Sequence, residues 1–244
     1  AAVPVLVSIA LVLACAGIPR LADFSSVIAV SVAFFCGWAS QEWTTLSPKR
    51  YLDWLPYVGL GLAMFALPVC RRVAGKYSGG LLILGGLIAA WLLVPDFPKL
   101  QPTRPVAVAI VTVTSVVVML AMGYAESRLP TRALSITLMI TGTMAALVLA
   151  QSFGLKFAQI AGMLTASLAG PFVFPGNRTR ATTGLAVVFV PLLCNLMFMG
   201  YAATSSAVPV YSFALIPLSV LPLLVVAVEQ ELRSRKRIAV AILG

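Results

Sequence analysis

The chain has 244 residues, of which 61% are hydrophobic and only 10% charged, with a mean hydropathy of +1.03. A soluble domain carries about a quarter charged residues, so this composition belongs to an integral membrane protein. The 17 Lys and Arg against 7 Asp and Glu leave a net charge of +10. Those basic residues lie between apolar stretches, where membrane orientation and anionic lipid account for them without nucleic acid.

The chain contains no histidine, which removes imidazole ligation of haem or metal and any Ser-His or Cys-His catalytic pair. Cys15, Cys36, Cys70 and Cys194 are scattered among apolar neighbours without CxxC pairing, and they read as small packing residues. No catalytic residue, metal or cofactor is expected.

Nine apolar stretches follow one another, at about 2–18, 24–40, 52–70, 78–94, 105–125, 133–151, 157–174, 182–203 and 208–228. The first runs over only 15 residues at 3–17, about 22 Å of helix against a hydrocarbon core of about 30 Å. Val12-Leu13-Ala14-Cys15 has the form of a lipoprotein cleavage site but lacks a basic leader, so the stretch reads as a retained helix. All connections are short, the longest polar one being 41–51. The expected fold is therefore an all-α bundle of nine transmembrane helices over 1–228, followed by a basic cytoplasmic segment over 229–244.

Lys and Arg segregate between alternate links, 5 on one side and 12 on the other. The positive-inside rule then places the N-terminus outside and the C-terminus in the cytoplasm, as in a bacterial-type cytoplasmic membrane. Trp38, Trp43, Trp54 and Trp91 all fall near the outer interface in that arrangement. Met122-Gly123-Tyr124-Ala125 recurs 77 residues later as Met199-Gly200-Tyr201-Ala202. With Phe97-Pro98 and Phe174-Pro175 at the same shift, it points to three units of three helices, neighbours being inverted.

The seven acidic residues all fall at span ends or in links. Pumps that titrate their own carboxylates need such groups inside the membrane, so that class is disfavoured. Pro56, Pro68, Pro191, Pro217 and Pro222 interrupt spans, as do Gly59, Gly61, Gly85 and Gly86, and they are expected to bend helices. Asn195 is the strongly polar side chain well inside a span. It is expected to bond the carbonyl freed by Pro191, a neighbouring helix or a substrate.

The stretch 158–195 holds the remaining candidate sites. Ala158, Gly162, Ala166 and Gly170 recur every four residues, with Ala161, Thr165 and Ala169 as a second row, and small residues at this spacing let helices approach closely in lipid. The turn Pro175-Gly176-Asn177-Arg178-Thr179-Arg180 precedes a helix that Thr182 or Thr183 is placed to cap. Arg178, Arg180 and Thr182 beside such a helix start form a candidate site for anionic lipid. Two functional classes are compatible with this inventory. One is a non-enzymatic subunit or scaffold of a larger membrane complex, with other integral subunits as partners. The other is a permease or channel-like component moving a neutral or lipid-like solute. They differ in whether the small-residue rows are buried within the chain or left uncovered.

Overall fold

The computed structural model describes residues 2–16, 18, 21, 24–42, 48, 50–70, 78–96, 103–126, 128–152, 154–173, 184–203 and 208–231. The fold is an all-α bundle. Its helices are α1 (Ala2–Ala16), α2 (Ser25–Glu42), α3 (Leu55–Cys70), α4 (Ser78–Leu93), α5 (Arg104–Glu126), α6 (Thr131–Gln151), α7 (Leu155–Ala166), α8 (Ala169–Val173), α9 (Leu185–Ala203) and α10 (Val210–Leu218), with a last helix α11 over 222–231. Each expected apolar stretch carries helix, because its Ala, Leu and Val runs offer the backbone no local competitor for its own hydrogen bonds.

Two stretches are broken rather than continuous. The seventh is interrupted between α7 and α8, where Ser167 donates its hydroxyl to the Leu164 carbonyl at 2.6 Å and closes the helix. The ninth is interrupted between α10 and α11, just after Pro217. Pro191 by contrast lies inside α9 without ending it, and Pro56 sits in the first turn of α3, where a missing N–H costs nothing.

Four helical segments among the described residues are long and apolar enough to cross a membrane: Arg104–Glu126, Arg132–Gln151, Leu185–Ala203 and Val210–Glu231. The outward faces are apolar too. Val106, Ile110, Val113, Val117 and Leu120 form an exposed stripe along α5, and Ile136, Ile140, Met144 and Leu147 form one along α6. Contiguous exposed apolar faces of this extent are foreign to soluble monomers and suit hydrocarbon. They support membrane insertion.

α9 occupies the centre. Helices α2, α3, α4, α5, α6, α7 and α10 all pack against it, and 83% of its span is buried against 28% for Val210–Glu231. Its antiparallel neighbour α5 brings Glu126 to the start of α9. The two copies of the Met-Gly-Tyr-Ala motif end these two antiparallel helices, yet their glycines differ in surroundings. A Cβ on Gly123 would meet nothing within 4 Å, whereas one on Gly200 would collide with the Leu149 side chain. Residues 97–98 and 174–175, which carry the second match of the repeat, lie outside the described residues.

Candidate functional site

The polar residues within and around α9 are the candidates, and the structure distributes them differently from expectation. Asn195 is 1% exposed. Its Nδ2 donates to the Pro191 carbonyl at 2.8 Å, so the amide turns back on its own helix. The carbonyl that lacks a helical donor because of Pro191 is that of Val187, one turn earlier, and Asn195 does not serve it. Its Oδ1 is buried without a hydrogen-bond partner among the described residues. On the adjacent position, Cys194 is buried as well.

The first small-residue row does not act as a single packing face. Ala158, Gly162 and Ala166 are only half-buried, and a Cβ on Gly162 would meet nothing within 4 Å. Gly170 behaves oppositely: a Cβ there would stand 2.5 Å from the Ser8 carbonyl of α1. The buried row is the second one. Ala161 and Thr165 face the core, and a Cβ on Gly142 of α6 would collide with the Thr165 hydroxyl. That hydroxyl is satisfied by the Ala161 carbonyl at 2.7 Å, so it is not stranded where α6 and α7 close on one another.

Ser8 explains how the break between α7 and α8 is tolerated. Its hydroxyl donates to the Ser167 carbonyl at 2.5 Å and accepts from the Gly170 N–H at 3.0 Å, and the residue is fully buried. A restarting helix leaves its first N–H groups without intrahelical partners. Here a side chain from the first helix of the chain supplies one acceptor. Sequence reasoning passed over Ser8, a lone hydroxyl on an apolar helix.

Arg178, Arg180 and Thr182 lie outside the described residues, together with the turn that carries them. The helix start they precede is described from Gly184 onward. Gly184 adopts φ 91°, a left-handed conformation that a side chain would strain, and its carbonyl accepts the Val187 N–H at 3.1 Å. The exposed N–H groups at this end are met by the Glu126 carboxyl, which accepts from the backbone of Gly184 and Ala186. Glu126 is 8% exposed. The capping oxygen thus comes from α5, and a carboxyl stands where a bound phosphate would otherwise use these donors.

On the same end, Glu231 of α11 collects three donors on one oxygen. Tyr124 Oη lies 2.6 Å from Glu231 Oε2, Arg128 Nε 2.9 Å and Arg128 Nη2 2.9 Å. Arg128 also donates Nη1 to the Tyr124 carbonyl at 3.1 Å, with its guanidinium 3.5 Å from the centre of the Tyr124 ring. This cluster fastens α11 to the end of α5.

At the opposite end of α5, about 33 Å away at 1.5 Å per residue, Arg104 lies over the Trp91 ring at 4.9 Å. Between α5, α9 and α10 lies a cavity of about 220 Å³. Val111, Cys194, Phe198, Tyr201, Phe213 and Pro217 form its walls, and Tyr201 stands 6.0 Å, centroid to centroid, from both Phe198 and Phe213. The walls are almost wholly apolar.

The chain matches no protein-family model, no curated protein and no solved structure.

Proposed function

We propose that the protein is a non-enzymatic integral subunit or scaffold of a larger membrane complex, and that α7 presents the contact. The observation that carries this reading is the half-buried row Ala158, Gly162 and Ala166, where no described residue lies within 4 Å of a Cβ at Gly162. A transporter would be expected to turn such a row inward around a polar path. Here the adjacent row, Ala161 and Thr165, takes the inward position, and the first row is left to a partner helix. Small residues confer close approach only if something approaches.

The same reading places the N-terminus outside and the C-terminus in the cytoplasm of a bacterial-type membrane, from the 12 to 5 partition of Lys and Arg. Membrane lipids, anionic on the cytoplasmic side, and other integral subunits are the partners. A permease for a neutral or lipid-like solute is the second reading. It is favoured by one observation, the unpartnered Asn195 Oδ1 in the centre of the bundle.

Replacing Gly162 with Leu separates the two. In purified isolated chain, Gly162→Leu should leave thermal stability within a few degrees of the native protein, because the added atoms enter open space. In mild detergent extracts of the native membrane, the same substitution should remove stoichiometric co-purifying membrane subunits. A native chain that purifies without a stoichiometric partner and binds a solute overturns the subunit reading. Strong destabilisation of the isolated chain would overturn the assignment of this row as an outer face.

A further inference from the structure

We propose that the protein carries a hydrophobic girdle of uneven height, and that its α3–α4 face selects phospholipids with short acyl chains. Around α9 the neighbours form a ring in the order α2, α3, α4, α5, α10, α6 and α7, each packed against the next. Helix length is sorted along that ring. On one side α7, α2, α3 and α4 have 12, 18, 16 and 16 residues. On the other, α5 has 23, the helical segment Val210–Glu231 has 22 and α6 has 21. At the helical rise α3 and α4 are about 24 Å long, about 10 Å shorter than α5.

The positions of charge repeat this difference. Asp53 and Arg71 enclose 17 uncharged residues and Lys76 and Asp96 enclose 19, against 21 between Arg104 and Glu126 and 23 between Arg132 and Lys156. The short side also presents an outward apolar face. Leu84, Leu87, Ile88 and Trp91 of α4 are exposed at i, i+3, i+4 and i+7, and α3 adds the exposed Met64. The exposed stripes of α5 and α6 belong to the long side.

Tilting absorbs the excess length of a long helix, but it shortens the reach of a short one further. A short face must instead be met by a thinner bilayer or by snorkelling of the flanking side chains. Snorkelling is limited at one end of both helices, where the flanking charges are the short side chains Asp53 and Asp96. Trp54 and Trp91 are exposed beside them, and interfacial Trp marks the headgroup level. Shorter acyl chains bring the headgroups to these ends without deforming the surrounding lipid. Selection of this kind requires only that the chain sit in a bilayer, and it is independent of the α7 row.

The test reconstitutes the full chain in dibrominated dioleoyl phosphatidylcholine mixed with unbrominated dimyristoleoyl, dioleoyl or dieicosenoyl phosphatidylcholine. Bromine quenches tryptophan on contact, so the fluorescence that each competitor restores ranks its affinity for the protein surface. All four Trp residues fall within 38–91, so the native chain reports the short side without substitution. Dimyristoleoyl lipid should displace the brominated lipid at least twofold better than dioleoyl, and dieicosenoyl should be the weakest. With Trp38, Trp43, Trp54 and Trp91 replaced by Phe, Leu147→Trp on the exposed stripe of α6 reports the long side, and there dioleoyl should equal or exceed dimyristoleoyl. A native-chain preference for dioleoyl or longer lipid overturns the uneven girdle, and so does the same ranking on both sides. If the Leu147→Trp chain does not fold, the ranking in the native chain decides alone. Absence of quenching by brominated lipid would overturn membrane insertion itself, and the girdle with it.

Discussion

At the residue scale, Glu126 is the most consequential polar side chain, and it does not act where the sequence placed it. Read along the chain it is the last residue of a span, one more carboxylate at a membrane edge. In the fold it is nearly buried and accepts the first N–H groups of α9. Those donors have no intrahelical partners. Loss of a capping oxygen costs about 0.5–2 kcal/mol. Glu126→Ala should therefore lower unfolding stability in mixed micelles by about 1–2 kcal/mol and raise amide exchange selectively in the first turn of α9. Glu126→Gln keeps one acceptor oxygen and should recover part of both effects. Equal exchange at α9 in Glu126→Ala and in the native chain would show that the cap is dispensable. The pairing of Glu126 with α9 was not legible in the sequence, because the Thr182-Thr183 pair offered a local cap and nothing marks a distant carboxyl as its rival.

At the element scale, the positions of the helices were legible and their interruptions were not. Long runs of Ala, Leu and Val bounded by polar links mark helices in any membrane chain. The break after Ala166 carries no such mark: Ser167 and Leu168 follow a helical pattern, and the interruption survives because Ser8 of α1 supplies a hydroxyl to both sides of it. The two small-residue rows of α7 were both visible, but which row would be covered depends on Gly142 and Phe189 of other helices. The attachment of α11 is likewise a tertiary matter. Arg128 and Glu231, whose side chains are 28% and 25% exposed, meet through a single carboxylate oxygen that also accepts from Tyr124. Partly exposed ion pairs contribute about 1 kcal/mol or less, and convergence of charged donors raises that. A double-mutant cycle of Arg128→Ala and Glu231→Ala should give a coupling of about 1 kcal/mol, accompanied in either single variant by faster proteolysis after α11. A coupling indistinguishable from zero would mean that α11 is held by its apolar face alone.

At the scale of the whole molecule, the fold is a set of helices around α9, with two clusters of charged and aromatic side chains at its two ends. Tyr124, Glu126, Arg128 and Glu231 gather at one end, and Trp91, Asp96 and Arg104 at the other. The length of α5 between them, about 33 Å, is close to the hydrocarbon thickness of a bilayer, about 30 Å. A chain that buries or pairs its charges at that separation is matched to a membrane. The sign of its orientation rests on a different quantity, the 12 to 5 division of basic residues, since translocation of positively charged links is disfavoured. Asp96 and Arg132 stand on opposite sides in that reading, and both are exposed. With Cys15, Cys36, Cys70 and Cys194 replaced by alanine, Asp96→Cys should react with a membrane-impermeant maleimide in intact cells. Arg132→Cys should react only after the membrane is opened. The converse pattern reverses the orientation, and labelling of both positions in intact cells would mean that α5 does not separate the two sides of a membrane.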